Sequence, residues 1–325
     1  MNTINYTLST IHYQLYTINY TLSTTHYQLK KMQVVIYSKI LHDEDVPHVQ
    51  TLFDALHTEG VNTYVYKPYY AQIKEKVKFK RDVAVFEGYL DFKSHKLDYV
   101  ISLGGDGTIL DAVTMVRDMD VPVMGINLGR LGFLASISKM RIEHAIQSLL
   151  NGQFDIESRR LLHLESNMPL FGDVRFALND FTILKRDTSS MITIHAYLNG
   201  AYLNSYWADG LIVATPTGST GYSLSCGGPI VFPNSNNFII TPVAPHNLNV
   251  RPIVVSDSSV ISFEVEGRTD NFLCTLDSRF ETITNDYQLA VRTADFTVKL
   301  VQLHGDTYLK TLREKLHWGQ DARNH

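Results

Sequence analysis

The sequence predicts an α/β N-terminal domain with a parallel, Rossmann-like sheet, followed by a mostly antiparallel β-sandwich domain. Two observations support this fold class. Up to about residue 150, apolar runs of strand length alternate with stretches of helical periodicity, and beyond it short alternating runs replace the helical pattern. We place the α/β domain at 32–136 and the all-β domain at 137–303, and expect a helix within 304–325 to dock back on the first domain.

Strand and helix alternate through the first half of the chain. The pattern begins with a strand at 33–37, an amphipathic helix at 46–58 that Gly60 can end, and a strand at 61–66. The charged stretch 67–92 predicts part helix and part loop. The pattern continues with a strand at 97–103, a helix to about 118, a strand at 121–126 and a helix at about 140–150. Such alternation indicates a parallel sheet with helices on its faces.

A hairpin turn is the clearest local signal in the second half of the chain. The segments 192–198 and 201–207 flank Asn199-Gly200, a dipeptide that suits a type I′ hairpin turn. Further strands are predicted at 181–184, 211–214, 260–266, 272–276 and 296–303, and a helix at 308–318.

The first thirty-one residues are a repetitive extension. The segments 3–16 and 17–30 are two copies of one polar unit. One duplication is too short for a solenoid, and the segment lacks the charged and apolar regions of a signal peptide. We expect 1–31 to be disordered or an artefact of start-site choice, with Met32 as the more natural beginning.

Composition excludes several functional classes. The net charge of −4 and the lack of a Lys/Arg cluster argue against nucleic acid as a partner, and no apolar run is long enough to span a bilayer. Cys226 and Cys274 form neither a disulfide framework nor metal-ligand spacing, which fits a reducing compartment. We therefore expect a cytoplasmic location and no nucleic-acid or membrane partner.

The strand ending at Leu103 runs into a glycine-rich turn from which a helical pattern starts. Glycines let a backbone approach a ligand closely, and the start of a helix favours an anion. The candidates for this phosphate loop are Gly104, Gly105, Gly107 and Thr108. Asp106 among them indicates a metal or a hydroxyl group as its partner. An ordinary turn is the alternative, and neither a Gly-x-Gly-x-x-Gly fingerprint nor a P-loop motif is present.

A second polar constellation lies in the β half. Asn179-Asp180 leads into a strand, with an ordinary Asx turn as the alternative. The strand at 211–214 follows Asp209 and leads into a run of hydroxyl side chains and glycines from 215 to 225. These hydroxyl groups can bond to sugar hydroxyls and phosphate oxygens, and Tyr222 can stack on a base. Helix capping explains only part of the run, so we interpret it as a ligand-binding segment.

Four segments resemble the NAD kinase family in order and spacing: 104–108, 127–129, 179–180 and 209–228. The resemblance covers roughly 33–318, and the stretch 215–223 is its most specific part. It implies ATP-dependent phosphorylation of the adenosine ribose 2′-hydroxyl of NAD, giving NADP. It also implies a divalent cation, expected to be Mg²⁺, on the donor phosphates, and homo-oligomers that are commonly dimers or tetramers.

The resemblance also assigns roles to residues of this chain. It implies that Asp106 is the proton acceptor and that the 137–303 domain binds NAD. The residues that it places at the dinucleotide are Asp106, Gly107, Asn179, Asp180, Asp209, Thr220, Gly221, Tyr222, Ser223, Leu224, Ser225, His246 and Arg279.

Two positions depart from the family pattern. The family usually has Asn-Glu where this chain has Asn179-Asp180, and often has Ala where it has Gly221. We expect neither change to abolish the activity, and expect any effect to fall on substrate affinity. Two other functions remain as alternatives. A lipid kinase would need an apolar acceptor groove, against which the hydroxyl-rich run argues, and a non-enzymatic dinucleotide sensor would need no aspartate at position 106.

Overall fold

One twelve-stranded sheet runs through both halves of the chain in the computed structural model, which describes residues 32–186, 191–268 and 270–317. The predictions for 1–31 and for the end of the chain beyond 317 lie outside these residues. Along the main path of this sheet the strand order is β11-β10-β15-β18-β5-β4-β1-β2-β3, and a second sheet has the order β14-β13-β12-β9-β16-β17. The predicted combination of a parallel sheet with an antiparallel sandwich is confirmed.

The α/β half contains the parallel part of the large sheet. Its strands are β1 (Gln33–Tyr37), β2 (Asn62–Tyr66), β3 (Val83–Phe86), β4 (Tyr99–Leu103), β5 (Val123–Asn127) and β6 (Ile137–Ser138). Its helices are α1 (Val46–Thr58), α2 (Lys67–Ile73), α3 (Tyr89–Ser94), α4 (Asp106–Val116) and α5 (Ile142–Leu150). Strand β1 is buried on both faces: Val34 and Ile36 pack with α1, α2 and α5, whereas Val35 and Tyr37 pack with α3 and α4.

The β half forms a sandwich. Its strands are β7 (Phe154–Ser166), β8 (Phe176–Ala177), β9 (Asp180–Lys185), β10 (Ile192–Leu198), β11 (Ala201–Ala208), β12 (Gly210–Ala214), β13 (Asn237–Val243), β14 (Ile253–Ser256), β15 (Ile261–Gly267), β16 (Phe272–Leu276), β17 (Arg279–Ile283) and β18 (Leu289–Leu303). Two helices, α6 (Tyr222–Ser225) and α7 (Tyr308–Leu316), accompany them. The two layers meet at aromatic pairs such as Phe181 and Phe263, whose ring centroids are 5.5 Å apart.

The predicted hairpin forms with the predicted turn. Asn199 and Gly200 have φ angles of +52° and +80°, as the two central positions of a type I′ turn require. The paired strands on either side are β10 and β11.

The structure differs from the sequence prediction in several places. Strands β7, β8, β13, β14 and β17 were not predicted, and β18 begins at Leu289 rather than at 296. The stretch 67–92 contains strand β3 as well as helices α2 and α3. β3 is an edge strand whose middle residues are exposed, so it lacks the apolar signal of the central strands. Helix α5 packs against α1 in the core of the α/β half, although it follows the boundary predicted at 136.

Helix α7 contacts the segment 131–141, which links β5 to α5. Arg141 pairs with Asp306 at 2.8 Å, just before the helix, and Lys315 donates to the carbonyl oxygen of Leu131. The ring of Tyr308 lies 6.4 Å from that of Phe133 and 5.4 Å from that of Phe232. Within the described ranges, no helix is long and apolar enough to cross a membrane.

Strand β18 joins the two halves. It pairs antiparallel with β7 and β15 and parallel with β5, where Leu300 faces Val123. Its side chains enter all three large apolar clusters, through Leu289 and Val291, through Val301 and Leu303, and through Val298 and Leu300. The two halves therefore share one continuous sheet.

Candidate active site

The glycine-rich turn lies where the order in which strands are added to the parallel sheet reverses. The chain builds β1, β2 and β3 outward on one side and then returns to build β4 and β5 on the other side of β1. The carboxyl ends of β1 and β4 therefore flank a crevice of the kind in which ligands of α/β sheets bind. Gly104 and Gly105 follow β4 at this crevice, and Lys39, which follows β1, pairs with Asp111 of α4 at 2.5 Å.

The turn needs glycine at its first position and leaves open space at two others. Gly104 has a φ of +147°, and a Cβ atom on it would lie 2.3 Å from Oγ1 of Thr108. A Cβ on Gly105 or Gly107 would meet no other atom within 4 Å. Helix α4 begins at Asp106, so its unpaired N–H groups face this space. The arrangement suits a phosphate group.

The side chain of Asp106 is held by a second loop. Its Oδ2 accepts the backbone N–H of Phe133 at 2.8 Å, and its Oδ1 accepts those of Leu134 at 3.0 Å and Ala135 at 2.8 Å. Gly132 allows this approach, because a Cβ on it would lie 1.9 Å from Oδ1. A carboxylate has about four acceptor positions. Three are used here, and the remaining one is on Oδ2.

The predicted pair Asn179-Asp180 lies against the hydroxyl-rich segment. A Cβ on Gly221 would lie 3.9 Å from Oδ2 of Asp180 and 4.0 Å from Nδ2 of Asn179. Gly218 packs directly on the backbone of Asn179, and the N–H of Thr215 donates to the Asn179 carbonyl at 2.8 Å. The Oδ1 of Asn179 is buried without a hydrogen-bond partner in the described part of the chain. An unpaired buried acceptor at this place is suited to a donor group on a ligand.

Asp277 is a residue that sequence reasoning missed. It lies in the turn between β16 and β17 with a φ of +54°. Its Oδ1 accepts the N–H groups of Asn179 at 2.7 Å and Asp180 at 3.1 Å, and its Oδ2 accepts that of Leu178 at 2.9 Å. Its own N–H donates to the Asp180 carbonyl at 2.9 Å. The available signal was an aspartate in a two-residue turn, which is too common to indicate a site.

The carboxyl group of Asp180 is buried beside this second carboxylate. Burial, followed by repulsion from Asp277, raises the pKa of Asp180 to about 7, whereas a hydrogen bond from Thr182 acts in the opposite direction. Burial raises the pKa of Asp277 as well, but its three N–H donors and the nearby Arg279 oppose that rise. The N–H donors and Arg279 favour the charged form of Asp277, and repulsion from that charge contributes to the raised pKa of Asp180.

The hydroxyl-rich segment divides into internal and outward-facing groups. Thr215, Ser219 and Ser223 are buried, and their hydroxyls bond to the Leu178 carbonyl, the backbone of Val231 and the Thr241 hydroxyl. Thr220, Gly221 and Leu224 are half-buried, whereas Tyr222 and Ser225 are exposed. Tyr222 lies close enough to Asp180 and Asp209 for both to raise its pKa, although burial is the larger cause. Much of the run thus builds the loop, and its remainder faces outward beside Asn179-Asp180.

Three other predicted residues have partners of their own. Asp209 pairs with Lys185 at 2.6 Å. The ring of His246 packs on Trp207 with centroids 4.9 Å apart. Arg279 donates to the carbonyl oxygens of Val174 and Phe176, and burial lowers its pKa. The contacts within the described ranges thus join His246 to Trp207 rather than to Asp106 or Asn179.

Packing joins the two parts of the site. Leu178, next to Asn179, lies in the same apolar cluster as Ile109 and Ala112 of α4 and Ala135 of the loop that holds Asp106. The glycine turn and the Asn179-Asp180 turn are therefore built on one core. Together they provide a carboxylate with one free acceptor position, a helix start and an array of polar side chains, which suits the transfer of a phosphoryl group to a hydroxyl.

Comparisons with known proteins point to one family. A family profile described as the ATP-NAD kinase N-terminal domain matches residues 22–154, and one described as the C-terminal domain matches residues 178–303. The NAD kinase of Cytophaga hutchinsonii is 46% identical over 294 residues, covering 90% of this chain and 100% of that protein. That of Flavobacterium psychrophilum is 43% identical over 300 residues, with the same coverage of both chains.

Two solved structures share the fold. An NAD kinase from Archaeoglobus fulgidus in complex with ATP has a TM-score of 0.69 and 25% identity, and the match covers 88% of this chain and 99% of that one. Yeast NADH kinase complexed with NADH has a TM-score of 0.83 at 23% identity, covering 92% of this chain and 91% of that one, and this likeness bears on the fold alone.

Proposed function

The chain belongs to the ATP-NAD kinase family and is an NAD kinase, and we propose that it transfers the γ-phosphoryl group of ATP to the 2′-hydroxyl of the adenosine ribose of NAD, making NADP. The observation that carries the site assignment is the geometry of Asp106. Its carboxylate stands at the start of α4 beside the strand-end crevice, with one acceptor position free on Oδ2.

Asp106 acts as the proton acceptor in this proposal. The three backbone N–H groups fix the direction of its carboxylate and leave the free position of Oδ2 for the ribose hydroxyl. As the new P–O bond forms and the bond to the ADP oxygen breaks, the hydroxyl proton passes to Oδ2 and later leaves to solvent. Phosphoryl transfer has a loose transition state, so positioning and charge neutralisation dominate. A well-placed base contributes about 10²–10⁴-fold.

The chemistry of each turn indicates which part of the two nucleotides it binds. The donor phosphates lie over Gly104, Gly105 and Gly107, where the start of α4 supplies N–H groups. The dinucleotide lies against Asn179 and Asp180. Further contacts come from the side chains of Thr220, Tyr222 and Ser225, from the backbone of Gly107, Gly221, Ser223 and Leu224, and from Asp209, His246 and Arg279.

A divalent cation is expected on the donor phosphates. Within the described residues, no group of three or more His, Cys, Asp or Glu side chains could hold a metal ion. Mg²⁺ commonly binds through substrate phosphates and water with few protein ligands. These residues are compatible with a cation that binds together with the phosphates of ATP, and such a cation would neutralise the charge of those phosphates.

We expect the chain to form a homo-oligomer, a dimer or a tetramer. Large apolar side chains are exposed on β11 and the loop after β13, including Tyr202 at 62%, Trp207 at 50% and Leu248 at 87%. Exposed apolar groups of this size are typical of interaction surfaces. Light scattering of the purified protein tests this, and a monomer at all concentrations would contradict it.

The free cysteines Cys226 and Cys274 fit the cytoplasmic location, which cell fractionation tests.

One assay tests the proposed function. The purified protein is incubated with NAD, ATP and Mg²⁺, and the product is measured with a dehydrogenase that reduces NADP but not NAD. We expect time-dependent NADP formation that requires both substrates. Folded protein that binds both nucleotides but forms no NADP would refute the hypothesis that it phosphorylates NAD and would favour a dinucleotide sensor.

A further inference from the structure

We propose that Asp277 is a positioning residue that fixes the backbone of 178–180 and so directs the side chains of Asn179 and Asp180 toward the dinucleotide. The inference rests on the proposed function, because it names what holds part of the NAD site in place. Asp277 lies in the turn of the β16–β17 hairpin, whereas the residues it holds lie between β8 and the start of β9. Its effect on the substrate is therefore exerted through them.

The segment 178–180 needs such a partner. It links the short strand β8 to β9, and Leu178 and Asp180 are buried. Three successive N–H groups point to one side there, and each would cost free energy if it were buried without an acceptor. One carboxylate satisfies all three at 2.7–3.1 Å. The carbonyls of the segment are used as well, by Thr215 and by the N–H of Asp277.

The same device holds the loop beside the proposed base. Asp106 accepts three successive N–H groups of 133–135, as Asp277 accepts those of 178–180. In the first case the loop holds the carboxylate that reacts. In the second case the carboxylate holds the loop, and this loop carries Asn179 and Asp180.

The charge of Asp277 gives the positioning role a distinctive readout. The charged or titratable groups that act on the pair are Arg279 on β17 and Tyr222 on α6, and Thr182 on β9 donates a hydrogen bond. Repulsion from Asp277 adds to burial in raising the pKa of Asp180. Removal of the Asp277 charge therefore lowers the pKa of Asp180, whereas a purely structural defect would leave unchanged how the activity of the folded protein depends on pH.

The test compares Asp277→Asn and Asp277→Ala with the unaltered protein and with Glu281→Gln. Glu281 is a matched control, because it lies in the same hairpin and its Oε1 accepts one backbone N–H, from Phe171 at 2.8 Å, away from the segment 178–180. Initial rates are measured against NAD at saturating ATP and against ATP at saturating NAD, from pH 5 to pH 9. Protein concentration is corrected for the folded fraction by thermal unfolding.

We expect Asp277→Asn to raise KM for NAD about tenfold, the effect of one hydrogen bond to a charged group, with KM for ATP changed by less than about threefold. The acid limb of kcat/KM for NAD should move to lower pH. Asp277→Ala should raise KM for NAD further, and Glu281→Gln should match the unaltered protein in both measurements.

Unchanged KM for NAD and an unchanged acid limb in Asp277→Asn would overturn the inference, even if its melting temperature fell. If Asp277→Ala does not fold, the pH profile of Asp277→Asn decides alone. An unaltered protein that forms no NADP would refute the proposed function instead, so the two failures are distinguishable.

Discussion

Gly132 lies so close to Asp106 that a Cβ atom on the glycine would stand 1.9 Å from the carboxylate Oδ1. We predict that Gly132→Ala forces the Asp106 side chain out of its three N–H bonds and lowers kcat by about two decades or more, as loss of a placed base does. Gly129→Ala in the same loop is the control, since its Cβ would meet its nearest atom, Oδ1 of Asn127, at 4.0 Å. Equal rates for the two variants would contradict the prediction.

Asp106→Asn separates two roles of that residue. The change keeps the shape of the side chain and removes its charge and its ability to accept a proton. We expect kcat to fall by about two to four decades with little change in NAD binding. Titration with Mg²⁺ and Mn²⁺ is the deciding measurement. Substantial recovery at high metal concentration would show that Asp106 holds the cation instead.

Asp180→Asn should alter how stability depends on pH. The folded pKa of Asp180, about 7, lies above the ordinary value near 3.9, so the folded chain retains a proton that the unfolded chain releases. This contribution to stability is present at low pH and is lost as the pH rises from about 4 to about 7. The melting temperature of the variant minus that of the unaltered protein should therefore be larger at pH 8 than at pH 5. Asp286→Asn, at an exposed position, provides the control.

Asp180→Ala tests whether Asp180 binds NAD, the phosphoryl acceptor. If Asp180 contacts the dinucleotide, the variant should raise KM for NAD far more than KM for ATP. The reason is that loss of one charge-assisted hydrogen bond costs about 1.5–3 kcal/mol of binding free energy. Steady-state kinetics with each substrate varied in turn measures this. Equal effects on the two constants would place Asp180 outside the acceptor site.

Gly218 and Gly221 should respond differently to alanine. A Cβ on Gly218 would lie 2.1 Å from the carbonyl oxygen of Asn179, whereas on Gly221 the nearest atom is the Gly218 carbonyl oxygen at 3.2 Å. Gly218→Ala should lower stability by about 1–3 kcal/mol, as overpacking does, and raise KM for NAD. Gly221→Ala should keep both values near normal. Thermal unfolding and kinetics check the pair, and the reverse order would contradict it.

The sequence was sufficient for the elements whose signals are local. Apolar runs of strand length located the parallel strands β1, β4 and β5, and Asn199-Gly200 specified its hairpin turn. Strand β3 was missed because an edge strand with exposed middle residues lacks an apolar run. The continuity of the large sheet was missed because the pairing of Leu300 with Val123 joins positions far apart in sequence.

The site was predictable by residue type but not by orientation. Asp106, Asn179 and Asp180 stand out as polar groups at strand ends. The three N–H donors of 133–135 could not be read from the sequence, since backbone direction depends on the folded loop. Asp277 lacks any distinguishing motif, because the N–H groups that it accepts belong to residues far away in the sequence. Whether the individual residues contact the nucleotides stays a prediction for the variants above.

A chain that starts at Met32 should behave like the full chain. The predicted strands begin after it, and the curated relatives match 90% of this chain over their whole length. We expect the same turnover, melting temperature and molar mass in solution. A drop of several degrees or a change in oligomeric state would show that residues 1–31 contribute to the fold.

The position of β18 constrains how the protein is made. The edge of the parallel sheet next to β5 is completed by β18, which comes after every other strand of the described residues in the sequence and ends at Leu303. The growing chain on the ribosome therefore carries an open strand edge and unfilled apolar clusters until β18 has been synthesised. Chains that stop early, by premature termination or proteolysis, keep that edge open and are expected to aggregate rather than to persist as an independent α/β fragment.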